Sequence, residues 1–94
     1  MISSPERSLI RTNRFARDLK KVPDGIKQEA YRIATSITQN IFAVELDVRP
    51  LTGFKGYYRV IVSQDFRMVF SFDDKCIYLH RIAHRKDIYR NLEL

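Results

Sequence analysis

The sequence contains no tryptophan, one cysteine, two histidines, three glycines and three prolines. With Cys76 alone, no disulfide can close within the chain. So little glycine and proline excludes collagen-like and linker-like polypeptides. There is no Gly-rich phosphate loop and no His-Glu helical zinc pair. One Cys and two His without ligand spacing argue against a metal centre, so neither a metal nor a cofactor is expected. No apolar run approaches the roughly 18 residues that a membrane helix needs. Met1 to Glu6 lack a charged start followed by an apolar stretch, so no signal peptide is expected there. These absences together point to the cytoplasm.

What is present suits one domain over residues 1–94, with a thin core and modest stability. A hydrophobic fraction of 45% is too high for a disordered chain. Seventeen Lys and Arg against eleven Asp and Glu leave a net charge of +6. Arginine outnumbers lysine, and its planar fork of donors suits phosphate oxygens and stacks on bases. A small basic protein with Arg and Tyr intermixed fits a nucleic-acid binder. An acidic protein partner, or a surface that is merely solubilising, fits the charge as well.

Two patterns divide the chain. Ser8 to Arg11 can form a short strand, and Thr12 can cap the helix that follows. Phe15, Leu19 and Val22 fall on one helical face. Pro23 ends that helix or opens the next, since proline suits a first turn and not an interior. Ile26, Ala30, Ile33, Ala34, Ile37 and Ile41 then form a core-facing stripe, with Asn40 as terminator. Two helices joined with almost no loop predict a helical hairpin. Arg14, Arg17 and Lys21 share another face of the first helix, either as a solvated surface or as a hold on RNA.

The second half alternates like a three-strand meander over residues 57–82, with turns at Gln64-Asp65 and Asp73-Asp74-Lys75. Val60, Val62, Met68, Phe70 and Phe72 are expected under the helices. Arg59 and Arg67 then share the open face as a candidate phosphate site, because a one-sided antiparallel sheet leaves its other face to solvent. Cys76, in an apolar strand, reads as core. Asp73 and Asp74 are adjacent and point apart, so they read as a turn.

The order of these segments resembles the RelE/ParE toxin superfamily. The resemblance is carried by Phe15 to Lys21, Pro50-Leu51-Thr52-Gly53, Tyr57-Tyr58-Arg59-Val60, Phe66-Arg67-Met68-Val69-Phe70 and His84-Arg85-Lys86-Asp87-Ile88-Tyr89. It implies an α+β fold of order β-α-α-β-β-β, a helical hairpin on one face of a small antiparallel sheet. It also implies a toxin that enters the ribosome and cuts messenger RNA without a metal. In that reaction a 2′-hydroxyl attacks the neighbouring phosphate, leaving a cyclic phosphate and a free 5′-hydroxyl. The partners implied are a cognate antitoxin, the ribosome and messenger RNA, and the toxin–antitoxin complex can contact operator DNA through the antitoxin.

Carried over residue by residue, Arg67 matches an arginine that stabilises the scissile phosphate. Arg59 matches a basic residue that serves as a phosphate contact or a general base, and is assigned electrostatics because arginine stays protonated. Arg85 matches a basic residue that assists the leaving oxygen, and Tyr89 matches a tyrosine that stacks on or orients RNA. His84 is an acid/base candidate by its pKa. Lys55, Lys86 and Arg90 are further RNA contacts. Ile61 stands where such toxins often carry a second basic residue. The alternatives are structural: Arg67 pairing with Asp65 or Asp87, Tyr89 packed over the sheet edge, His84 as a cap. His80 reads as structural. At the level of function, a ParE-type gyrase inhibitor and a member that only binds its antitoxin both remain open.

Overall fold

The computed structural model describes residues 6–90 and 92–94. The leader reading at Met1 to Glu6 falls mostly outside them. Strand β1 (Ser8–Arg11) leads into Thr12, whose hydroxyl accepts the Phe15 N–H at 3.2 Å and caps helix α1 (Asn13–Leu19). Phe15 and Leu19 are buried. Val22 lies beyond the end of α1 and is buried from the connecting turn, where its N–H donates to the Leu19 carbonyl. Pro23 opens helix α2 (Asp24–Gln39) with extended backbone.

Helix α2 buries Ala30, Ile33, Ala34, Ile37 and Thr38. Asn40 terminates it, but with extended φ −157° rather than the left-handed turn often found at such a stop. The left-handed residue is Asp47 (φ 50°), which closes the single 3₁₀ turn Val44–Leu46.

The sheet contains β2 (Arg49–Pro50), β3 (Tyr58–Ile61), β4 (Phe66–Phe72) and β5 (Cys76–His84), in the order β1-β5-β4-β3-β2. It is mixed, not wholly antiparallel as expected from sequence. β1 runs parallel to β5, while the other pairs are antiparallel. The two helices intervene between β1 and the meander, and such a long connection lets the first strand align with the last. β2 was not legible as a strand. It holds only two residues at the sheet edge, where the missing N–H of Pro50 breaks no inner ladder.

Two apolar clusters form, one on each sheet face. The larger joins Phe15, Ile33, Ala34 and Ile37 to Val60, Val62, Met68, Phe70, Ile77, Leu79 and Ile82. The expected inward set is therefore correct, with Phe72 half-buried at its margin beside Tyr58 and Phe42. The smaller cluster lies on the face expected to be open. Leu51, Val69 and Ile88 are buried there, with Phe54, Tyr57, Ala83 and Leu92 packed around them. Cys76 is half-buried at the start of β5, so its reading as core is corrected. Among the described residues, no helix is long and apolar enough to cross a membrane.

Candidate functional site

Arg59 and Arg67 emerge where strand alternation puts them, but their guanidinium groups turn to different acceptors. In the register, Arg59 faces Val69 and Ile61 faces Arg67. Arg59 Nη1 donates to the Asp47 carbonyl at 3.0 Å and lies 4.0 Å from Asp47 Oδ2. Arg67 Nη1 donates to the carbonyls of Ser63, Gln64 and Phe66 at 2.9, 3.1 and 3.0 Å. Arg67 thus braces the β3–β4 turn, and its partner is neither Asp65 nor Asp87. A guanidinium carries further N–H donors on Nε and Nη2, so a phosphate contact is compatible with this brace.

The chain after β5 folds back as a compact turn. The His84 carbonyl accepts the N–H groups of Asp87 and Ile88 at 2.8 and 3.0 Å. His84 Nδ1 accepts the Lys86 N–H at 3.1 Å, and the ring meets Phe66 edge-on at 5.5 Å. His84 therefore caps this turn from the helix-facing side of the sheet, in accord with its structural alternative. Arg85 is tied to the β3–β4 turn. Its N–H donates to the Asp65 carbonyl at 2.6 Å, and its Nε lies 3.6 Å from Asp65 Oδ1. Arg90 Nη1 lies 3.9 Å from Asp87 Oδ1. Ile88 plugs the smaller cluster, leaving Tyr89 49% exposed beside it.

One cavity of about 460 Å³ brings Arg59, Arg49 and Tyr89 together with Pro50, Leu51, Thr52, Phe54 and Leu92. Two guanidinium groups, a phenol ring and an apolar lining can hold a phosphate and stack a base. Arg67, His84, Arg85 and Lys86 do not line it. Lys55 is exposed in the turn between Gly53 and Gly56, both at positive φ, and Lys86 is exposed in the tail turn. On the other side, Arg81 and Asp18 form a bidentate pair at 2.7 and 3.4 Å, and Asp18 also accepts the Ile82 N–H at 3.0 Å. Arg14, Arg17 and Lys21 line a cleft beside that pair.

Arg49 was not singled out from the sequence, and His80 was read there as structural. Arg49 carries no sequence signal beyond its charge, because β2 is too short to show alternation. His80 had a signal. Apolar residues of β5 fall at 77, 79 and then 82, and this slip marks the bulge where Val69 pairs with Arg81 but Phe70 with Leu79. His80 stands there with Nε2 2.7 Å from Ser71 Oγ and its ring 5.0 Å from Tyr57. Burial holds its pKa below the ordinary histidine value.

Residues 9–89 match the family described as ParE toxin of type II toxin-antitoxin system, parDE. Toxin RelE3 of Methanocaldococcus jannaschii is 30% identical over 77 residues, covering 80% of this chain and 86% of that protein. The crystal structure of the RelB-RelE antitoxin–toxin complex from Methanococcus jannaschii is similar at TM-score 0.71 and 27% identity, over 89% of this chain and 99% of that one. The E. coli DinJ-YafQ toxin–antitoxin complex has TM-score 0.76 at 18% identity, over 90% and 99% of the two chains, a likeness of fold alone. The two helices on a five-stranded sheet, the basic tail and a match that spans nearly the whole described chain place this protein in the RelE/ParE family of type II toxin–antitoxin toxins.

Proposed function

We propose that this toxin acts as a ribosome-dependent endoribonuclease that cuts messenger RNA without a metal, by 2′-hydroxyl attack on the adjacent phosphate. The observation that carries this reading is the cavity shared by Arg49, Arg59 and Tyr89 on the face away from the helices. Cyclisation builds extra negative charge on the phosphate, so a fixed guanidinium favours the transition state over the ground state. Tyr89 is exposed enough to stack on a base.

The partner proposed is an acidic or amphipathic antitoxin segment, laid along the toxin to offset its +6 charge. Similar toxins were crystallised with their antitoxins. The test is tightly controlled expression, followed by mapping of RNA 5′ ends and an assay of gyrase supercoiling. New 5′-hydroxyl ends within translated messages, with gyrase unaffected, are expected. Intact messages together with blocked supercoiling would replace this reading with ParE-type gyrase inhibition.

A further inference from the structure

Arg49 and Arg59 stand directly opposite one another on β2 and β3. Like charges placed in this way repel, and a cross-strand pair of them destabilises a sheet. One residue answers both. Arg49 Nε lies 3.1 Å from Asp47 Oδ1. Arg59 Nη1 lies 4.0 Å from Asp47 Oδ2 and donates to the Asp47 carbonyl at 3.0 Å. Among the described residues, no other carboxylate pairs with either arginine. Asp47 reaches the two from a left-handed backbone, φ 50°, at the close of the Val44–Leu46 turn. Aspartate, asparagine and glycine tolerate that conformation better than other residues.

We propose that Asp47 is a positioning residue that holds Arg49 and Arg59 as a fixed pair for one RNA phosphate. The inference rests on the ribonuclease reading and adds the group that orders its two guanidinium ions. Asp47 does not line the cavity, so it acts through the arginines that do. It engages Nε of Arg49 and Nη1 of Arg59. That leaves both Nη nitrogens of Arg49, and Nε and Nη2 of Arg59, for phosphate oxygens.

The Arg49 side chain is 64% exposed, and without an anchor it would sample many rotamers. Ordering it before RNA arrives removes that cost from binding and from the transition state. The charges fit as well. Two guanidinium groups and one carboxylate leave a single positive charge, opposite the single negative charge of a phosphodiester. As negative charge builds in the phosphorane, donors already fixed in place gain the most. A residue kept only for the turn would need the left-handed backbone but not the carboxylate.

The test compares Asp47→Asn and Asp47→Gly with wild type in messenger cleavage on programmed ribosomes. Both variants keep the left-handed backbone and the carbonyl that Arg59 uses, and both lose the carboxylate. An exposed ion pair adds little to folding, so both should fold. The expected result is a kcat lower by about 10–10²-fold, with no rise in KM, because a negative charge near the phosphate has gone. In an Arg49→Ala background, Asp47→Asn should cost clearly less, since its partner is missing. NMR of the wild type gives a reading that needs no variant. The Arg49 Nε–H should exchange more slowly than that of exposed Arg17, and inorganic phosphate should shift the Arg49 and Arg59 Nε signals together. Three results overturn the proposal and leave the ribonuclease reading intact: folded variants with wild-type kcat, full additivity with Arg49→Ala, or an Arg49 Nε–H exchanging as fast as that of Arg17. Absence of cleavage by wild type overturns both.

Discussion

Arg67 commits one guanidinium nitrogen to three carbonyls of its own hairpin turn. That gives it two separable duties. Hydrogen bonds to a charged group are worth about 1.5–3 kcal/mol net, so Arg67→Ala should lower the unfolding free energy by roughly that amount. If Arg67 also steadies the phosphorane, the same change should slow RNA cleavage by about 10²–10³. Denaturant midpoints and cleavage rates, measured on one preparation, separate the two. Destabilisation with unchanged cleavage would leave Arg67 as a turn brace only. Arg59 differs, because its anchor is Asp47 at the sheet edge and it lines the cavity with Tyr89.

The β4–β5 hairpin is organised by one carboxylate. Asp73 Oδ1 accepts the N–H groups of Lys75 and Cys76, each at 2.8 Å, and Oδ2 accepts the Tyr78 hydroxyl at 2.8 Å. The Lys75 amide first, then the Tyr78 hydroxyl, hold the Asp73 carboxyl below its ordinary value. A depressed carboxylate pKa contributes stability that is present above the unfolded value and lost as pH falls through the folded one. In return, Asp73 pushes Tyr78 up to about 12. Asp73→Ala should bring the Tyr78 titration back toward about 10, read by phenolate absorbance, and should speed exchange of the Lys75 and Cys76 amides. An unmoved Tyr78 titration would refute the pairing. Helix α2 depends instead on its apolar stripe. Ile33 is 4% exposed and shares one cluster with Phe70, so Ile33→Ala should cost about 2–5 kcal/mol in chemical unfolding.

The whole molecule presents a net charge of +6 and a thin core split by its sheet into two clusters. The smaller cluster rests on a short tail, with Ile88 as its plug, so loss of the tail would bare Val69 and Leu51. A partner that binds only the folded form adds to stability by mass action. Expression of this chain alone should therefore arrest growth. Co-expression of an acidic antitoxin should restore growth and raise the melting temperature of the purified complex. Salt should weaken formation of that complex, since exposed charges are screened beyond about 8 Å at physiological ionic strength. Unimpaired growth with abundant folded protein would count against an active toxin.

The elements with strong apolar periodicity were readable from the amino acids alone. The stripe from Ile26 to Ile37 and the alternation around Val60, Met68 and Phe70 depend on local geometry, in which period 3.6 or 2 decides which side chains can be buried together. Thr12 as a cap and Asp73 in a turn belong to the same class, because their partners lie within five residues. Contacts distant along the chain were not readable. Alternation identifies two faces of a sheet but not what will cover the second, so Ile88 and Leu51 over Val69 came as a surprise. The parallel seat of β1 beside β5, and the joining of Arg49 to Arg59 and Tyr89, likewise join residues far apart in sequence. Where Arg67 and Arg59 point is set by carbonyls and a carboxylate that only the folded chain brings within hydrogen-bond reach.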